Sequence, residues 1–154
     1  MSQDGVTVLV GTTKGAFLIS GGSNRDGWTV KGPFCDGWPI NHIIGDPATR
    51  LLWAGGGGEF HGAGVWRSED LGVTWEVAKL TKGQIDEWAA NDPQLAAMMN
   101  WTNQPLQFAD QFSQIWSLCY AHGTLYAGTK PARLLSSRDG GKNWERVLFR
   151  DDKT

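Results

Sequence analysis

No run of about 18 apolar residues, the length that would span a membrane as a helix, occurs anywhere in the chain. Its opening, "MSQDGVTVLVG", has neither the basic nor the apolar segment of a secretory signal, so a cytoplasmic protein with no membrane partner is expected. Cysteine is scarce. Cys35 and Cys119 stand 84 positions apart with no CxxC and no Cys/His ligand spacing, which favours reduced thiols over a disulfide and gives no support to a zinc site. Neither a metal nor a cofactor is expected. Charge of one sign is missing as well: 14 Lys and Arg are interspersed with 16 Asp and Glu, a formal net charge of -2, which removes the electrostatic case for a nucleic-acid partner.

Glycine and tryptophan are plentiful, with 21 and 9 residues, as suits a turn-rich chain with large aromatic anchors. The octet "SEDLGVTW" (Ser68 to Trp75) returns as "SRDGGKNW" (Ser137 to Trp144), with Asn143 in place of the threonine Thr74. Around the octets three segments align on their tryptophans, each reading as strand, Gly turn, strand, Asp/Gly turn, strand. One more β-type run precedes the second and third copies, "INHIIGDP" and "QIWSLCYAHG". Gly11 and Gly55, at the ends of matching strands, are 44 apart, the period of a four-stranded propeller blade. Gly55 and Gly128 are 73 apart, which leaves an insertion of about 29 residues.

The octet falls in the hairpin between the third and fourth strands of its unit. Asp70 and Asp139 can accept hydrogen bonds from turn N–H groups, Gly72 and Gly141 can take positive φ, and Ser68 and Ser137 can bond locally. Trp75 and Trp144 are expected to plug the space between neighbouring sheets. A worn copy in the first unit, "SNRDGW", keeps Asp26, Gly27 and Trp28.

"SEDLGVTW" matches the S-x-D-x-G-x-T-W Asp-box, or BNR repeat, at every defined position, and the chain resembles Asp-box β-propellers. That superfamily includes sialidases, xyloglucan-degrading enzymes, sortilin-type receptors and photosystem II assembly factors. "VLVGTTKGAFL", "GPFCDGWPINHIIGDP" and "LYAGTKPARLLSSRDGG" are similar to the opening of bacterial proteins labelled exo-sialidase-like or glycosyl hydrolase. The resemblance implies an all-β, sialidase-like propeller of about three four-stranded antiparallel blades in one domain, 1–154. Blade 1 spans about 5–33, blade 2 about 38–80, a helical insertion about 81–113 and blade 3 about 114–150. Eleven strands are too few for even a four-bladed ring. The expectation is therefore the front part of a six- or seven-bladed protein, or self-association of several copies, with Val6 to Val10 as an open edge and Trp116, Leu118 or Leu134 left without a neighbouring blade.

Strand parity puts the loops after strands two and four on the face opposite the Asp-boxes, where any site is expected. The Gly55 to Gly64 segment, "GGGGEFHGAG", is read as a loop whose glycines permit ligand approach and which carries Glu59 and His61. It is no phosphate cradle, because GxxxxGK followed by Ser or Thr is missing and a strand follows. His42 lies on an inner strand and points either into a central channel or into a structural hydrogen bond. Lys130 and Arg133 flank Pro131 as an anion site or a solvated pair. In the insertion, Asp92 as N-cap and Pro93 at the first helical position announce a helix. Its apolar residues Leu95, Met98 and Met99, with Trp88 and Trp101, form either a carbohydrate-stacking wall or a patch packed on the propeller.

A sialidase needs an arginine cluster and a Tyr/Glu nucleophilic pair, yet the chain has no Arg-Ile-Pro start, and its tyrosines, Tyr120 and Tyr126, sit in β-type runs. A two-carboxylate glycosidase would draw on Glu59 with Asp36 or Asp110. Two functions stay open: a glycan-acting hydrolase, and a noncatalytic propeller that binds a carbohydrate or protein ligand.

Overall fold

The computed structural model describes residues 5–149, so both ends of the expected 1–154 domain, and residue 150 of the third unit, lie outside the described residues. The fold is all-β and antiparallel, with two short helices. Strands β1 (Val6–Thr12), β2 (Gly15–Gly21) and β3 (Thr29–Phe34) form a three-stranded meander. A second meander follows: β4 (Ile40–Asp46), β5 (Leu51–Gly58), β6 (Gly62–Ser68) and β7 (Glu76–Lys79). A third comprises β8 (Gln114–Ala121), β9 (Thr124–Lys130), β10 (Leu134–Ser137) and β11 (Glu145–Arg146).

The second and third meanders are not separate sheets. A single pair, Gly57 with Gln114, bridges β5 to β8 and makes one eight-stranded sheet. The inner strands are tied as well: the Asn41 amide donates to the Ile115 carbonyl at 2.8 Å, and the Leu118 N–H donates to His42 Nδ1 at 2.9 Å.

Two cores seal the junctions between neighbouring meanders. Ala16 and Cys35 pack with Trp38, Ile40, Ile43, Ala54 and Trp66 between the first and second. Trp53, Val65 and Leu80 pack with Ile115, Leu125 and Trp144 between the second and third. Leu118 also belongs to this second core, so it is not a bare flank residue as expected; its neighbour Trp116 does stand in solvent, 54% exposed. The two octet tryptophans differ. Trp144 is buried, whereas Trp75 is half-buried against the first core, tilted on Phe34 with ring centroids 6.4 Å apart.

Between β7 and β8 stand α1 (Gln84–Asn91) and α2 (Pro93–Met98). The Asp92 carboxylate caps α2, accepting from the Gln94 and Leu95 N–H groups at 3.0 and 3.2 Å. Helix α1 lies inside the expected helical insertion but ahead of the Asp92 signal, because Gly83 opens it without a capping side chain; Asp86 in its first turn reaches back to the Gly83 N–H at 2.8 Å instead. The segment returns to the sheet through Phe108 and Phe112, both buried in the second core.

Candidate functional site

The two octets share one hydrogen-bond pattern, to which the second adds the Lys142 N–H donating to Asp139 Oδ1 at 3.2 Å. Ser68 Oγ donates to Asp70 Oδ1 at 2.9 Å and accepts from the Gly72 N–H at 2.8 Å; Ser137 does the same with Asp139 and Gly141, both at 2.8 Å. Thr74 gives Asp70 its N–H at 2.8 Å and its hydroxyl at 2.5 Å. Asn143 replaces both donors for Asp139, with its N–H at 2.9 Å and its side-chain amide at 2.6 Å. The indoles of Trp75 and Trp144 close the turns onto the carbonyls of Gly72 and Gly141 at 3.0 and 2.9 Å. Positive φ at Gly72 (+90°) and Gly141 (+94°) makes the reversal possible. The Thr74 hydroxyl and N–H hold the Asp70 carboxyl down to about 2, and the Asn143 backbone and side chain do the same for Asp139. These carboxylates are committed to their turns.

In the first unit the worn copy closes differently. The Arg25 N–H donates to the Gly22 carbonyl at 2.9 Å, with Arg25 and Gly27 at positive φ.

On the side after strands two and four, the supposed loop from Gly55 to Gly64 proves to be mostly strand. β5 runs through Gly58 and β6 begins at Gly62, leaving Glu59, Phe60 and His61 as the turn. Two of its glycines admit a neighbouring backbone: a Cβ on Gly56 would sit 2.0 Å from the Pro39 carbonyl oxygen, and one on Gly62 would sit 2.2 Å from that of Thr81, whereas one on Gly58 would meet nothing within 4 Å. Helix α1 docks on this turn, with the Gln84 and Ile85 N–H groups donating to the Glu59 and Phe60 carbonyls at 2.9 and 3.0 Å.

An aromatic cluster results. His61 stacks on Trp38 at 5.0 Å, Phe60 meets His61 edge-on at 4.9 Å and Trp88 edge-on at 5.5 Å. Burial, followed by the Lys79 charge, pulls the His61 pKa below its ordinary value. Glu59 is exposed. His42 spends Nδ1 on the Leu118 N–H and so bridges two strands.

Lys130 and Arg133 do not converge. The Lys130 ammonium lies over the Trp116 ring, 5.2 Å from its centroid, while the Arg133 guanidinium bonds the Ala132 carbonyl at 2.9 Å. Cys35 is buried and Cys119 exposed, both free. Burial, helped by the Asp36 charge, pushes the Cys35 thiol up to about 12, far from a reactive thiolate.

Asp86 is a hub that the sequence did not reveal, since its partners lie up to 15 residues away. Lys79 Nζ reaches its Oδ2 at 2.5 Å, beside the Gly83 N–H, and the Trp101 indole donates to Oδ1 at 3.0 Å. Burial would raise its pKa, but these donors outweigh burial and hold it below the ordinary carboxylate value. Around this hub, edge strand β7 and the segment from α1 to Leu106 enclose a cleft of 640 Å³, with Trp101 in its lining.

Among the described residues, no group of three or more His, Cys, Asp or Glu is placed to hold a metal ion, and no helix is long and apolar enough to cross a membrane. Comparison with known protein families and with curated proteins finds no match.

Proposed function

We propose that the chain is part of an Asp-box β-propeller and serves as a noncatalytic binding module, with its ligand on the side opposite the box turns. The propeller reading is supported by the hydrogen-bond pattern that the two octets share and by meanders of matching order. The observation that carries the functional half is the employment of the candidate histidines. His42 Nδ1 accepts a strand-bridging N–H, and His61 is stacked on Trp38 and met edge-on by Phe60. Glu59 is then left in an exposed turn, and a glycosidase needs a second carboxyl group set across a substrate from the first.

A panel of chromogenic glycosides, neutral and sialylated, tests this directly. The expected outcome is no turnover above that of a Glu59→Gln variant. Turnover by the native chain that Glu59→Gln abolishes would overturn the reading and restore the hydrolase.

A further inference from the structure

We propose that the cleft between β7 and the helical segment is a binding site for a neutral saccharide. This rests on the binding-module reading and adds to it a place and a ligand class. At 640 Å³ the cleft falls within the roughly 300–1,000 Å³ of small-molecule sites. Its lining has two chemistries. Trp101 supplies an aromatic surface, with Val77, Met99 and Leu106 adding apolar area. The indole N–H is engaged by Asp86 at 3.0 Å, so the ring is held in orientation before any ligand arrives.

The second chemistry is carboxamide. Asn91, Asn100, Asn103 and Gln104 all line the cleft. Each carboxamide offers both donors and an acceptor, which matches hydroxyl groups that themselves donate and accept. Asn91 donates to the Glu87 carbonyl at 2.8 Å.

Charge selects among polar ligands. Asp86 is neutralised by Lys79 at 2.5 Å, and the remaining charged lining residues, Lys82 and Glu87, are one of each sign. An anion such as a carboxylated sugar or a phosphate would find no surplus cation, and a cation no surplus carboxylate. A pyranose, with an apolar C–H face for Trp101 and a rim of hydroxyls for the carboxamides, fits both parts of the lining.

The test uses the full 154-residue chain on an array of neutral, carboxylated and sulfated oligosaccharides, with calorimetric titration of the best-bound neutral glycan. Asn103→Ala and Gln104→Ala are the primary variants, because both positions are exposed and their truncation should leave the melting temperature unchanged. Trp101→Ala is the second, read beside its thermal melt because it also removes one of the three donors to Asp86. Binding of a neutral glycan that weakens about tenfold or more in Asn103→Ala or Gln104→Ala, but not in Trp88→Ala outside the cleft, is the expected result. Neutral-glycan binding untouched by the cleft variants would overturn the site. Binding confined to acidic glycans, or to none, would overturn the ligand class. Turnover of glycosides, by contrast, would strike the noncatalytic reading, so the two failures are separable.

Discussion

At the scale of single residues, Asp70 and Asp139 show how a carboxylate becomes a turn fastener. Each accepts a serine hydroxyl and two donors from the residue four positions on, and these bonds favour the ionised form. Their folded pKa of about 2 lies below the unfolded carboxyl value of about 3.9. The stabilisation is therefore fully present above pH about 4 and is lost as the pH falls through about 2. In circular-dichroism melts the native chain should lose melting temperature across that window. The Asp70→Asn, Asp139→Asn double variant should start lower at neutral pH and show a flatter acid limb. Asn143→Thr should be close to neutral, since Thr74 makes the equivalent two bonds. The tryptophans separate in the same way: Trp144→Ala should cost about 3–5 kcal/mol in urea unfolding, and half-buried Trp75→Ala about half of that.

At the scale of elements, the run "GGGG" at the end of β5 decides the packing of three segments. Gly56 faces the Pro39 carbonyl, and Gly57 donates its N–H to that same carbonyl at 2.9 Å. Added atoms at Gly56 would meet backbone, which has no rotamer to yield. Gly56→Ala should cost about 3 kcal/mol, whereas Gly58→Ala, whose Cβ meets nothing within 4 Å, should stay within about 0.5 kcal/mol by the same denaturation measurement. Equal effects would mean that the glycines serve a ligand or flexibility instead. In the helical segment, Asp92→Ala removes two cap bonds from α2 and should loosen the residues leading to Trp101 at a cost of about 1 kcal/mol.

At the scale of the whole molecule, the junction cores between meanders are closed but the outer surfaces are not. Strand β1 is a sheet edge, and Val8, Val30 and Trp116 are 43%, 61% and 54% exposed. Exposed apolar side chains, two of them on strands at the ends of a sheet, invite association. Size-exclusion chromatography with light scattering should show self-association that grows with concentration, and a charged substitution at Val8 should diminish it. A species holding the mass of one chain at every concentration would show that water tolerates these surfaces unaided.

What the sequence determined by itself was local in the chain. The octet turns and the Asp92 cap with Pro93 behind it depend on bonds between residues a few positions apart, and the eleven strands among the described residues follow β-type runs set off by turn residues, so the residue types and their spacing suffice. The tertiary structure decided what depends on partners far along the chain. Only in the fold does Pro39 come against Gly56, the Leu118 N–H find His42 across 76 positions, and Trp53 reach the Gly140 carbonyl across 87 at 2.7 Å. The start of α1 went unmarked for a local reason, since it is capped from within by Asp86 and not by an N-cap side chain, while distance in sequence hid the Asp86 hub. It also hid the cleft, whose walls are an edge strand and a segment up to 29 positions beyond it. Pattern encodes which hydrogen bonds a residue can make nearby; which distant surface it meets is settled only when the meanders close on their shared cores.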